Sequence, residues 1–137
     1  MYFKAFPFSG FNVKLLKINS KSSFDDVLKE LDKTNSVAID SSFVSSLEEL
    51  NLALYLAKKS ISKKKNISNQ LRFEFLLYLS GKTDLKSAFS ITKPKSNMVL
   101  IVCFGKVLPK INGVEDVLVL AERASPTVIE RISLSRL

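Results

Sequence analysis

The chain has 137 residues with one cysteine, no histidine and no tryptophan, and 21 Lys+Arg against 13 Asp+Glu give it a formal charge of +8. Without histidine there is no Ser-His-Asp or Cys-His arrangement, no imidazole base near neutral pH and no His-containing zinc site, and Cys103 alone forms neither an internal disulfide nor a thiolate cluster. A composition 46% hydrophobic and 25% charged fits one ordinary globular domain over residues 1–137, and a lone cysteine fits a reducing compartment, so a cytoplasmic protein is expected.

Residues 2–8 and 13–18 are short, β-prone runs separated by Ser9-Gly10, which predicts strand, turn, strand, with Pro7 placing the first at a sheet edge. Phe24, Val27, Leu28 and Leu31 follow at i, i+3, i+4 and i+7 behind Ser22-Ser23, the pattern of a capped amphipathic helix. Asp25 and Asp26 lie in its first turn and read as cap chemistry, not as a catalytic dyad. Residues 36–40 read as a buried strand.

Ser45-x-x-Glu48 has the form of a capping box, and Leu47, Leu50, Leu54, Ala57 and Ile61 continue one apolar face for about four turns. After the lysine loop 62–66, Ser68 is the expected N-cap of a helix over 71–79 that ends at Gly81. Seven of those nine residues are apolar or aromatic and surround the helical wheel, so this helix belongs in the core. Arg72 and Glu74 are two positions apart, point in different directions and must find other partners.

A shorter helix is expected from Thr83-Asp84 through Leu85, Ala88 and Phe89, stopping before Pro94. The run 98–104 is the longest apolar stretch and reads as a strand buried on both faces. It is far short of the ~20 residues of a membrane helix, and the N-terminus lacks the charged start of a signal peptide, so neither a membrane span nor export is expected. Residues 117–120 fit strand or helix, and Ser125-Pro126 opens a last helix with Val128, Ile129 and Ile132 as its stripe. The order of elements predicts an α/β fold, a small mixed sheet packed with about five helices.

The motifs of common chemistries are missing. Gly10, Gly81, Gly105 and Gly113 are too far apart for a phosphate-cradling loop, and no cofactor or metal site is expected. Asp40 is the best placed lone carboxylate, yet Asp-Ser-Ser before a helix is ordinary turn composition. An enzyme using Asp40 or Glu74 as a general base is the weakest reading of the chain.

Charge is more informative. Between residues 58 and 95 lie ten basic residues opposed only by Glu74 and Asp84, so this one segment carries the whole net charge. A positive potential so concentrated attracts polyanions, of which nucleic acid is the commonest inside cells. The alternative is a solvated surface in which Lys58 and Lys59 complement a helix dipole.

Asn66-Ile67, the stretch 74–81 (Glu-Phe-Leu-Leu-Tyr-Leu-Ser-Gly) and its spacing to Leu85 and Ala88 resemble the small kinase-binding subunit of the KEOPS complex, which makes threonylcarbamoyladenosine in tRNA. The match covers roughly 43–89, about a third of the chain, with a weaker similarity at 129–134. Thr83-Asp84 stands where the family usually has Arg-Gln, and Thr92-Lys93 where it has an aromatic-glycine step.

The resemblance implies a non-catalytic accessory subunit whose partners are the complex's kinase/ATPase subunit and the single-stranded 3′ CCA end of tRNA. On that reading Lys59, Lys63, Lys64, Lys65, Arg72, Lys82 and Lys86 are the candidate phosphate contacts, and Tyr78 is the candidate for stacking on a base. Val128, Ile129, Ile132 and Leu134 are the candidate kinase anchors, with closure of the protein's own core as the alternative use of that face. A stand-alone RNA- or DNA-binding domain without a kinase partner is the second reading.

Overall fold

The computed structural model describes residues 2–3, 11–18, 24–116 and 118–136. Its fold class is the expected α/β, with a sheet and five helices among the described residues. They fall into two units, each discontinuous in sequence: a sheet unit, Met1–Phe43 with Lys93–Val119, and a helical unit, Val44–Thr92 with Leu120–Leu137.

In the sheet unit the strands are β1 (Tyr2–Phe3), β2 (Asn12–Ile18), β3 (Ser36–Asp40), β4 (Met98–Cys103) and β5 (Gly113–Asp116). Their order is β1-β2-β4-β3, with β5 also on β2, and every pairing is antiparallel where a mixed sheet was expected. The reason lies in the β3–β4 pair. Asp40 stands opposite Val99, so the chain leaves the sheet and returns to it at one place, as in a hairpin with a long insertion.

Asp40 fastens that neck. Its Oδ1 accepts the Lys95 amide at 3.1 Å, its Oδ2 accepts the Ser42 hydroxyl, and its carbonyl accepts the Phe43 amide at 2.9 Å. The bonds to its carboxylate, the Ser42 hydroxyl foremost and then the Lys95 amide, hold it below the ordinary aspartate value against the opposing effect of burial. The turn role is therefore the one Asp40 fills.

All but the last residue of the run 98–104 form β4, a strand buried on both faces as its unbroken hydrophobicity requires. Val99 and Ile101 join Leu16 and Leu31 in a core cluster against which Val27 and Ile111 pack, so the amphipathic helix α1 (Phe24–Lys33) covers one face. The turn at Ser9-Gly10, Pro7 and the cap at Ser22-Ser23 lie outside the described residues. Leu118, Val119 and Leu120 are neither strand nor helix, and Val117 also lies outside the described set.

The helical unit comprises α2 (Leu47–Ser62), α3 (Leu71–Ser80), α4 (Leu85–Thr92) and α5 (Pro126–Ser133). The capping box of α2 is Ser46 with Glu49, one residue beyond the expected Ser45 and Glu48. Both registers satisfy the same spacing. Glu49 is fully buried and its Oε2 takes the Ser46 amide and hydroxyl at 3.1 and 2.8 Å, whereas Glu48 reaches across to the Ala124 amide at 2.9 Å. Backbone bonds from Leu47 to Ala121 and from Ala121 to Ser45 tie the returning segment to the start of α2.

Candidate nucleic-acid interface

The lysine loop is the way α2 ends. The Lys65 amide bonds to the Ser60 carbonyl at 2.9 Å and the Lys64 amide to the Ile61 carbonyl at 3.1 Å, the paired bonds of a Schellman motif. Such a motif needs one residue in the left-handed region, normally glycine, and here it is Lys64 at φ 57°. The backbone thus accepts some strain in presenting three consecutive lysines.

The end of α3 repeats the pattern with the usual residue. Gly81 (φ 73°) sends its amide to the Tyr78 carbonyl, and the Lys82 amide reaches Leu77 at 3.2 Å. A Cβ at Gly81 would stand 2.6 Å from Arg131 Cγ, so a side chain is excluded there twice over. Asp84 then accepts the Ser87 amide at 2.8 Å and caps α4, which gives this residue a structural duty.

Between the two motifs lies α3, ten residues and about 15 Å long. Ser68 does not cap it; Gln70 occupies that position without a side-chain cap bond. The loop is instead held by Glu74, fully buried, whose Oε1 accepts the Ile67 and Ser68 amides at 3.1 and 3.0 Å. Its Oε2 accepts Ser60 Oγ at 2.6 Å and pairs with Arg136. Burial pushes this carboxyl up, but the bonds from Arg136, Ser60 and Ser68, with the Arg136 charge, outweigh it and hold the pKa below the ordinary value.

Of the seven expected phosphate contacts, Lys59, Lys63, Lys64, Lys65, Lys82 and Lys86 are exposed, as is Lys58. Arg72 is not: it is buried, donates to Gln70 Oε1 at 3.2 Å and lies 4.3 Å over the Phe73 ring. Arg72 and Glu74 do take separate partners, as their spacing required. Tyr78 is buried as well, beneath the Arg136 guanidinium 4.1 Å from its ring, and offers no face to a base. Both corrections share one cause: a helix apolar around its circumference is enclosed around its circumference, polar members included.

The α5 residues divide. Ser125 caps the helix through the Val128 amide and Pro126 occupies its first turn, as expected. Ile132 is fully buried, so it closes the helical unit's own core and is withdrawn as a partner anchor. Val128 and Ile129 are half-buried and Leu134 is exposed. Arg131 Nη2 stands 3.8 Å from the buried Glu49 carboxylate, so two cations from this end of the chain serve two buried carboxylates.

Tyr55 stands outside the site residues expected from sequence. It is 60% exposed on α2, with Lys59 Nζ 5.8 Å from its ring centroid; the signal available was its position opposite the Leu50, Leu54, Ala57 face. Cys103 is buried in β4. Among the described residues no group of three or more His, Cys, Asp or Glu is placed to hold a metal ion, and no helix is long and apolar enough to cross a membrane. No family model matches the chain, and no curated protein matches its sequence.

Proposed function

We propose that the protein is a non-catalytic accessory subunit of the KEOPS type, binding and stimulating a small kinase-like ATPase and holding the 3′ CCA end of tRNA. The resemblance over residues 43–89 supplies the family. The observation that carries the nucleic-acid half is the sorting of charge in the helical unit: Lys58, Lys59, Lys63, Lys64, Lys65, Lys82 and Lys86 are all exposed, while Glu74 is buried and neutralised by Arg136. Asp84 alone is left as an exposed carboxylate between residues 58 and 92.

Lysines grouped on either side of α3 suit a backbone-tracking role. Each phosphate they neutralise releases counterions, so affinity falls with salt at a slope of about −0.7 per contact on a single strand. The kinase half rests on α5, where Val128, Ile129 and Leu134 remain as apolar anchors; interfaces draw most of their energy from a few such contacts.

Charge reversal tests the site. Lys64→Glu with Lys82→Glu should weaken tRNA binding at least ten-fold at low salt and flatten the salt dependence, because two contacts become repulsions. Unchanged affinity would remove these residues from the interface. Retained tRNA binding without any association with the kinase subunit would instead favour a stand-alone RNA- or DNA-binding domain.

A further inference from the structure

Holding an unpaired base takes more than phosphate contacts. Single strands are usually gripped by stacking bases on exposed aromatic rings beside a basic track. With Tyr78 buried under Arg136, that ring must come from elsewhere.

Among the residues whose side-chain exposure the structure describes, Tyr55 is the most exposed aromatic, and Phe89, the next, is engaged edge-to-face with Phe73 at 5.5 Å. Exposure by itself carries no meaning, since isolated apolar side chains are common at surfaces. Position does. Tyr55, Lys58, Lys59 and Ser62 fall at i, i+3, i+4 and i+7 and form one exposed stripe of α2. That stripe runs directly into the Schellman turn that presents Lys63, Lys64 and Lys65. Lys59 lies over one face of the Tyr55 ring near the outer limit of a cation–π contact, so the ring sits inside the positive field with a second face for a ligand.

We infer that the Tyr55 stripe of α2 is a binding site for single-stranded nucleic acid, with Tyr55 stacking on an unpaired base while Lys58, Lys59 and the lysine turn neutralise the flanking phosphates. The inference rests on the accessory-subunit reading for its biological setting but not for its chemistry. An acidic peptide would use the same lysines and would gain nothing from a planar ring. Duplex RNA has no unpaired base to offer it.

The full chain, its Tyr55→Ala and Tyr55→Phe variants and a Lys64→Glu variant are titrated with a short single-stranded RNA, its duplex form and a polyglutamate peptide. Thermal melts establish that the exposed Tyr55 changes leave the fold intact. The expected result is quenching of tyrosine fluorescence on binding, an affinity about ten-fold lower in Tyr55→Ala, near-wild-type binding in Tyr55→Phe and an unchanged salt slope in both. Weakening by Lys64→Glu with none from Tyr55→Ala would overturn the Tyr55 site and leave the accessory reading standing. Absence of RNA binding by the wild-type chain would overturn both. Equal loss of RNA and polyglutamate binding in Tyr55→Ala would assign the stripe to an acidic protein and overturn the nucleic-acid assignment.

Discussion

At the scale of single residues, the helical unit turns on one carboxylate. Glu74 joins the loop amides of Ile67 and Ser68 to Ser60 of α2 and Arg136 near the end of the chain. Breaking a buried pair by removing one partner costs about 3 kcal/mol or more, a large share of a typical domain's stability. Glu74→Gln should therefore show that loss in urea unfolding at neutral pH. Because the folded pKa of Glu74 is lowered, its contribution is full above the ordinary glutamate value and is lost as pH falls through the lowered one. The gap between wild type and Glu74→Gln should accordingly close in acid, and a gap that widened there would refute the assignment. Lys64 supplies the opposite case: glycine suits its φ of 57°, so Lys64→Gly should hold or raise stability by about 0.5 kcal/mol while removing one phosphate contact and about 0.7 from the salt slope. A drop in melting temperature would show that the lysine side chain contributes to the fold itself.

At the scale of elements, legibility followed locality. The helix 71–80, its glycine stop, the Ser125-Pro126 start of α5 and the doubly buried β4 rest on signals a few residues long, and each was readable. The capping box of α2 slipped by one because Ser45-Ser46 and Glu48-Glu49 offer two equivalent registers, and in the observed one Glu48 and Glu49 meet partners far along the chain, Ala124 and Arg131. Arg72 and Tyr78 were misplaced for a related reason. An all-round apolar helix has no polar face to infer, and the guanidinium that covers Tyr78 comes from Arg136, a residue with no local signal near α3. The same long-range ties set the fate of α5. Removing the chain after Ser125 takes away the fully buried Ile132 and strips Glu49 and Glu74 of their cations, so this truncation should lose cooperative unfolding in circular dichroism; a truncated chain with an intact melt would show that α5 is an appendage and not part of the core.

At the scale of the whole molecule, the concentration of charge was legible from composition alone, and its meaning came from burial. Ten basic residues between 58 and 95 promise a patch, but the fold withdraws Arg72 and Glu74 together and leaves lysines at both ends of α3. The antiparallel pairing of β3 with β4 was not legible, because it depends on where three inserted helices return the chain, a return that Asp40 fastens and the strands' own pattern does not encode. The central claim is that these lysines hold a tRNA 3′ end. Binding of the purified chain to tRNA with and without its CCA end, at low and at moderate salt, tests it most directly: the account predicts a salt-sensitive affinity that falls when the CCA end is trimmed, and equal binding to both forms would contradict it.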